Sequence, residues 1–172
     1  MQTYTQILIG GAVGAIMFPN NTLAHCACAA GGAAPDLVMI PKFALDKLRE
    51  VQPFAKQSKA MLFAKEPPHS IVLWVVLIII GIIYLPQTAL GTATLAFCIG
   101  ALSHVIGDIP THADPRFADT EPTFCWPLKV KLSQIFGIWD YRIDHGLLWP
   151  PKPTEIIIIG ISIITIIIIK FL

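Results

Sequence analysis

The sequence predicts an all-α protein, a polytopic membrane bundle of about five spanning helices, from its hydropathy, its charge content and the placement of its apolar residues. Hydrophobic residues make up 55% of the 172 residues, charged residues make up 13%, and the mean hydropathy is +0.68. Soluble domains carry about 25% charged residues. The apolar residues fall in blocks, as helices that cross a lipid core require, since a full crossing takes about 20 helical residues. We therefore expect a single membrane domain over residues 1–172 that contacts the lipid bilayer.

The predicted spans form two hairpins followed by a single last helix. Asn20 and Asn21 separate the first two spans, and Pro86 separates the third from the fourth. Asn and Pro are typical of turns. The second span is short for a bilayer core, so we expect it to be tilted, kinked or buried among the others. The spans are predicted at about residues 4–19, 22–34, 70–85, 87–107 and 155–172.

Small residues in the first two spans predict close helix packing. Gly10, Gly11 and Gly14 lie in the first span, and residues 24–34 of the second are rich in Ala and Gly. Such faces allow two membrane helices to approach closely. The last span is almost entirely Ile, which is typical of a lipid-facing anchor rather than of a functional site.

Two long connections, residues 36–69 and 108–154, contain nearly all of the Lys and Arg residues. The positive-inside rule places both connections in the cytoplasm, with a cytoplasmic amino terminus and an external carboxyl terminus. We therefore expect a multi-pass protein of the inner (cell) membrane. Residues 42–64 predict an amphipathic cytoplasmic helix, interrupted near Pro53, that either packs on the helix ends or lies on the lipid surface. Residues 108–154 predict a small ordered cytoplasmic cap.

Three potential metal ligands, His104, Asp108 and His112, lie where the fourth apolar helix ends. Because residues four apart share a helix face, His104 and Asp108 point in the same direction. Ionisable groups next to lipid are costly and usually mark a function. Pro110 cannot donate the helical hydrogen bond to Ile106, so a bend there would fold His112 back over the other two.

The predicted topology brings two more candidates to the same membrane face. Asp36 follows the second span and His69 precedes the third. A metal ion that is held by imidazole and carboxylate ligands, with one coordination position left open, makes a water bound there nucleophilic. The set suits zinc, iron or manganese, and we predict a divalent metal with zinc as the first choice. Asp108 and His112 are the predicted catalytic residues, with His112 either a further ligand or a general acid or base.

A plainer interpretation stays open for these groups. In this interpretation the His and Asp side chains only solvate the helix ends at the water interface, and Asp108 pairs with Arg116 or Arg142.

A different role is predicted for His25, which lies about 16 Å from Asp36 along a helix at 1.5 Å per residue. We favour a hydrogen-bonded packing role for this residue. The four cysteines predict no disulfide.

Several short motifs resemble those of the membrane-bound metal-dependent hydrolase family of the YdjM type. The closing signature of that family is similar to Leu102-Ser103-His104 through Asp108-Ile109-Pro110-Thr111-His112, followed by Trp126-Pro127-Leu128. Ala34-Pro35-Asp36 resembles its Leu-Pro-Asp motif, and Pro68-His69-Ser70 resembles its Thr-His-Ser motif. Residues 3–10 resemble its opening, except that Gln6 stands where a His is usual. The resemblance covers residues 3–128.

The resemblance implies a helical membrane fold distantly similar to zinc phospholipase C enzymes, with hydrolysis of a phosphoester or lipid ester. Its substrate would be an amphiphilic or phosphoester small molecule. Gln6 is a weak metal ligand, so this position departs from the family. A non-enzymatic helical membrane module, whose His/Asp cluster serves packing or partner binding, is the alternative hypothesis. No nucleic-acid partner is predicted, and the sequence gives no oligomeric state.

Overall fold

A computed structural model describes residues 3–38, 40–41, 64–109, 123–128, 130, 132 and 153–171. Within these residues the secondary structure is helical, which confirms the all-α part of the predicted fold class. Five α-helices lie within the described residues: α1 (Thr3–Met17), α2 (Thr22–Leu37), α3 (Ile71–Tyr84), α4 (Ala89–Asp108) and α5 (Pro153–Phe171). A short 3-10 helix, Pro67–His69, precedes α3.

Three of these helices begin at a polar residue whose side chain caps the first turn. The Asn21 side chain accepts a hydrogen bond from the amide of Ala24 at 3.0 Å. Ser70 and Thr88 cap α3 and α4 in the same way. Side-chain oxygens at these positions satisfy amide groups that the first helical turn leaves without partners.

Helix α2 extends three residues beyond the predicted end of its span at residue 34 and includes Pro35. A proline inside a helix removes one backbone hydrogen bond and crowds the preceding turn. Pro35 is buried, and burial between neighbouring helices offsets that cost. As a result, Asp36 lies on the last turn of α2 rather than in the connection that follows it.

Glycine residues let α1 pack closely against α2, as the sequence predicts. A Cβ atom added at Gly10 would lie 2.5 Å from the carbonyl oxygen of Cys28. One added at Gly14 would lie 2.8 Å from the Cys28 Cβ. Both distances are shorter than real Cβ contacts, so these positions accept no side chain without a shift of the helices.

Helices α2 and α4 pack as closely as α1 and α2 do, and this second contact was not expected from the sequence. A Cβ atom at Gly31 of α2 would overlap the carbonyl oxygen of Phe97, and one at Gly100 of α4 would overlap that of Cys28. Helix α2 therefore lies between α1 and α4, with backbone against backbone on both sides. Small residues at such crossings are typical of helices packed in membranes.

Helix α3 packs on α4 through a small apolar cluster and leaves its other faces exposed. Trp74, Ala101, Val105 and Phe124 are buried in this cluster. Phe124 belongs to a short segment, residues 123–128, that runs beside the start of α3, where the Ile71 amide donates to its carbonyl at 2.8 Å. The exposed side chains of α3 include Ile79, Ile80, Ile82 and Ile83.

Among the described residues, length and composition identify one helix, α4, as able to cross a membrane. It has 20 residues with a hydropathy of 1.7. Helices α1 and α3 and residues Ile156–Ile169 of α5 are apolar but shorter. The arrangement of five spans therefore stays a prediction. Helix α5 packs on α1 and exposes most of its large apolar side chains, in keeping with the predicted lipid-facing anchor.

Several predicted features lie outside the described residues. They are the greater part of the amphipathic helix at 42–64, most of the cap at 108–154, His112, and the alternative partners Arg116 and Arg142.

Candidate metal centre

Four helix ends meet at one end of the bundle and bring polar side chains together there. The chain reverses direction at residues 18–21 and again near Pro86, so the start of α1 lies beside the end of α2, and the start of α3 lies beside the end of α4. The polar residues at these ends are Thr3, Gln6, Asp36, His69, His104 and Asp108.

Asp36, His69 and His104 form a group that could hold a metal ion, since one potential ligand atom from each lies within 4.8 Å of the others. The Nε2 atoms of both histidines lie 3.7 Å from Oδ1 of Asp36. Two ligand atoms bound to one tetrahedral zinc ion at about 2.0 Å each are roughly 3.3 Å apart. Both distances to Oδ1 of Asp36 are therefore close to those around a bound ion, and the spacing between the two histidines, which is at most 4.8 Å, would shorten on binding.

Both histidines are oriented in the way that metal-binding histidines usually are. Nδ1 of His104 lies 2.6 Å from the carbonyl oxygen of Gly32, and Nδ1 of His69 lies 3.0 Å from that of Lys65. A carbonyl oxygen only accepts, so Nδ1 carries the hydrogen in each ring, and Nε2 of a neutral ring offers a lone pair. Such outer hydrogen bonds fix the tautomer and the ring orientation of metal ligands.

The surroundings of His104 Nε2 favour a cation. This atom is buried and has no hydrogen-bond partner among the described residues. It lies 3.1 Å from Oδ2 of Asp108 and 3.7 Å from Oδ1 of Asp36. A lone pair that faces two carboxylate oxygens in a buried site is repelled by both, and either a proton on Nε2 or a metal ion among the three groups removes the repulsion. The residues present therefore fit a divalent metal ion.

Asp36 is the most accessible member of the group. Its side chain is 28% exposed, whereas those of His69 and His104 are 2% and 0% exposed. Solvent, and with it a water ligand, reaches the centre beside Asp36.

Helix α1 supplies two hydrogen bonds to the carboxylates. The hydroxyl of Thr3 donates to Oδ2 of Asp36 at 2.6 Å, and the amide nitrogen of Gln6 donates to Oδ1 of Asp108 at 2.8 Å. Sequence reasoning missed Thr3 and noted Gln6 only as a departure from a family pattern. Their spacing of three residues places them on one face of α1, but nothing in the sequence marks that face as the buried one.

The structure brings four of the five predicted ligands to one place, and their roles stay predictions. Asp108 contacts His104 but does not belong to the group of three that includes Asp36 and His69. The fifth predicted ligand lies outside the described residues. His25, at the other end of α2, donates from Nε2 to the carbonyl oxygen of Phe18 at 2.6 Å. Its predicted packing role is confirmed.

A family model described as YdjM inner membrane protein matches residues 1–172. No curated protein and no solved structure matches the chain.

Proposed function

Because the chain belongs to the YdjM inner membrane protein family, we propose that it is a membrane-bound hydrolase in which Asp36, His69 and His104 hold a divalent metal ion. The observation that carries this proposal is the pair of imidazole Nε2 atoms turned toward one oxygen of Asp36, with both Nδ1 atoms bonded to backbone carbonyls. Zinc suits this ligand set. When bound, such an ion lowers the pKa of a water ligand enough to supply a nucleophile near neutral pH.

The protein's own groups would then hold and activate the water. Asp108 lies against His104 and is buried, so it is placed to act as a further ligand or to accept a proton from the water. We also propose His112 as a further ligand or as a general acid or base. The exposed side of Asp36 gives a substrate access to the centre.

The proposed substrate is an amphiphilic or phosphoester molecule, hydrolysed at a phosphoester or lipid ester bond. Its support is the location of the centre, at the end of an apolar helix long enough to cross a membrane. A lipid could reach that position with its headgroup at the centre and its chains beside the exposed apolar faces of α3.

A direct test measures hydrolysis by the purified protein in detergent micelles. We expect turnover of a chromogenic phosphodiester or of a phospholipid, removal of that turnover by a chelator, and its return when zinc is added. His69→Ala should be inactive, and His25→Ala is the matched control because it removes a helical histidine at the other end of α2. Equal turnover with and without bound metal would refute the hydrolase mechanism.

We further propose that all five helices span the membrane, with the amino terminus and residues 36–69 and 108–154 in the cytoplasm. The centre then faces the cytoplasm. In a variant without native cysteines, an impermeant maleimide added to intact cells should label Cys placed at Asn21 and should not label Cys placed at Ser58. Labelling at position 58 alone would invert this topology.

A second function is favoured by a different observation, the direct hydrogen bonds that join the helix ends to one another. His104 bonds to Gly32, Gln6 to Asp108, and Thr3 to Asp36. These bonds would suit a non-enzymatic membrane module in which the cluster holds the helices together. In that case the wild type contains no bound metal, and alanine at His69 or His104 lowers only the thermal stability.

A further inference from the structure

His69 lies in a turn whose own hydrogen bonds are local. Its ring is held by the carbonyl oxygen of Lys65 at 3.0 Å, and the indole of Trp74 donates to the carbonyl oxygen of Pro68 at 2.6 Å. Both bonds join residues of one short stretch of chain, so they fix the ring within that stretch. They do not fix the distance from the stretch to α4, which carries His104. That distance decides whether the two imidazoles, whose ring centroids are 5.5 Å apart, can share an ion.

The segment of residues 123–128 is bonded to this turn through Ser70, the residue after His69. The Ser70 hydroxyl donates to the carbonyl oxygen of Trp126 at 2.6 Å, across 56 residues of sequence. The same oxygen accepts from the amide of Leu73 at 3.3 Å, and Ser70 is 0% exposed. One buried hydroxyl therefore both caps α3 and holds the segment against the turn.

Phe124 connects the same segment to α4. Its carbonyl oxygen accepts from the amide of Ile71 at 2.8 Å. Its side chain is 0% exposed, in the apolar cluster that also contains Ala101 and Val105 of α4. Val105 directly follows His104 in the chain. The backbone of Phe124 thus binds the start of α3, while its ring is buried with residues beside His104.

The backbone of Phe124 has a conformation that bulky residues rarely adopt. Its φ is 54°, in the left-handed region where a Cβ atom crowds the backbone. Such a conformation persists only where the surrounding structure imposes it, and it is concentrated at functional sites. A glycine would adopt it more easily, so a phenylalanine here favours a role for the buried ring.

We infer that Ser70 and Phe124 are positioning residues of the metal centre, which set the distance between His69 and His104 through the segment 123–128. This inference rests on the proposed metal site. Two ligands that are held near their binding distance before the ion arrives lose little freedom on binding, which raises the affinity. Without either contact, the turn that carries His69 could move relative to α4, although each ring keeps its hydrogen bond to a backbone carbonyl.

The first test compares Ser70→Ala with Thr88→Ala in detergent. Each variant removes the side-chain cap of a helix, α3 or α4, and Ser70→Ala also releases Trp126. Thr88 precedes α4, at the opposite end of that helix from His104. We expect Ser70→Ala to weaken zinc binding about 10-fold, at the lower end of the effect of losing an outer partner, and Thr88→Ala to keep the wild-type affinity. Competition with a chelating dye measures the affinity, at a temperature where each metal-free variant is folded.

The second test compares Phe124→Leu with Phe97→Leu. Phe97 packs against the same cluster, but it lies about 10 Å from His104 along α4. We expect Phe124→Leu to weaken zinc binding and to change the visible spectrum of the cobalt-loaded protein, which reports the geometry of the ligands. Phe97→Leu should leave both unchanged. A merely structural role for Phe124 would lower the melting temperature without changing the spectrum.

The outcomes separate this inference from the proposed function. If the wild type binds no zinc or cobalt, the proposed metal site itself is refuted. If the wild type binds metal, equal losses of affinity in Ser70→Ala and Thr88→Ala would assign the effect to helix capping and overturn only this inference. Wild-type affinity together with the wild-type cobalt spectrum in a folded Ser70→Ala or Phe124→Leu protein would do the same for that residue, so each variant is decisive if the other does not fold.

Discussion

His104→Ala is expected to lower the zinc affinity of the purified protein more than about 100-fold, beyond the 10- to 100-fold cost of losing an outer-shell partner. The reason is that Nε2 of His104 faces both Asp36 and Asp108 and has no hydrogen-bond partner in the described part of the chain. Without the imidazole, the proposed ion would lose a ligand, and the two carboxylates would lose the group between them. Zinc content after dialysis and competition with a chelating dye measure the change.

The control for this variant is His25→Ala. His25 is also a helical histidine whose ring donates to a backbone carbonyl, at 2.6 Å from Phe18, but it lies at the other end of α2. The His25→Ala protein should keep the full zinc content. Thermal unfolding of the metal-free proteins separates binding from folding, because His104→Ala also loses the hydrogen bond to Gly32. Wild-type zinc affinity in a folded His104→Ala protein would exclude His104 as a ligand.

The meeting of Asp36, His69 and His104 could be predicted because it follows from the order of apolar segments and turns. A turn near Pro86 joins α3 to α4, so the residue before α3 and the last turn of α4 must lie at the same end. The turn at residues 18–21 brings the end of α2 back to the start of α1 in the same way. Spacing within α4 then places His104 and Asp108 on one face. Each of these steps uses only helix geometry and chain direction.

The roles of Thr3 and Gln6 could not be predicted, because they depend on how α1 is rotated about its axis. Helix α1 is apolar around most of its circumference, so its pattern marks no buried face. The carbonyl groups of Gly32 and Lys65 that orient the histidines are likewise invisible in a sequence, since any residue carries a carbonyl. These carbonyl groups become identifiable only when the position of each helix along its axis, relative to its neighbours, is known.

The second large effect is expected for Gly31→Ala, which should destabilise the protein by about 3 kcal/mol, at the upper end of the usual cost of overpacking. A Cβ atom there would overlap the carbonyl oxygen of Phe97 and lie 2.9 Å from its carbonyl carbon and 3.0 Å from the amide nitrogen of Ala101. These are backbone atoms of α4, which cannot turn aside as a side-chain tip can. Helices α2 and α4 would therefore have to separate.

That separation would also weaken the metal centre, because Asp36 lies on α2 and His104 lies on α4. The hydrogen bond between His104 and the carbonyl oxygen of Gly32, the residue after Gly31, would lengthen from 2.6 Å, and the ring would lose its fixed orientation. We expect zinc affinity and thermal stability in detergent to fall together in Gly31→Ala. Both quantities can be measured on the same purified sample.

Gly160→Ala is the matched control, since it makes the same substitution inside a helix. A Cβ atom at Gly160 of α5 would have nothing within 4 Å, so the change adds no clash and favours the helical backbone by roughly 0.5–1 kcal/mol. It should therefore keep or slightly raise the stability and leave zinc binding unchanged. If Gly31→Ala behaved like Gly160→Ala in both measurements, α2 and α4 could not cross as closely as the structure places them. The short distance between Asp36 and His104 would then lose its basis, because that crossing is what holds the two helices together.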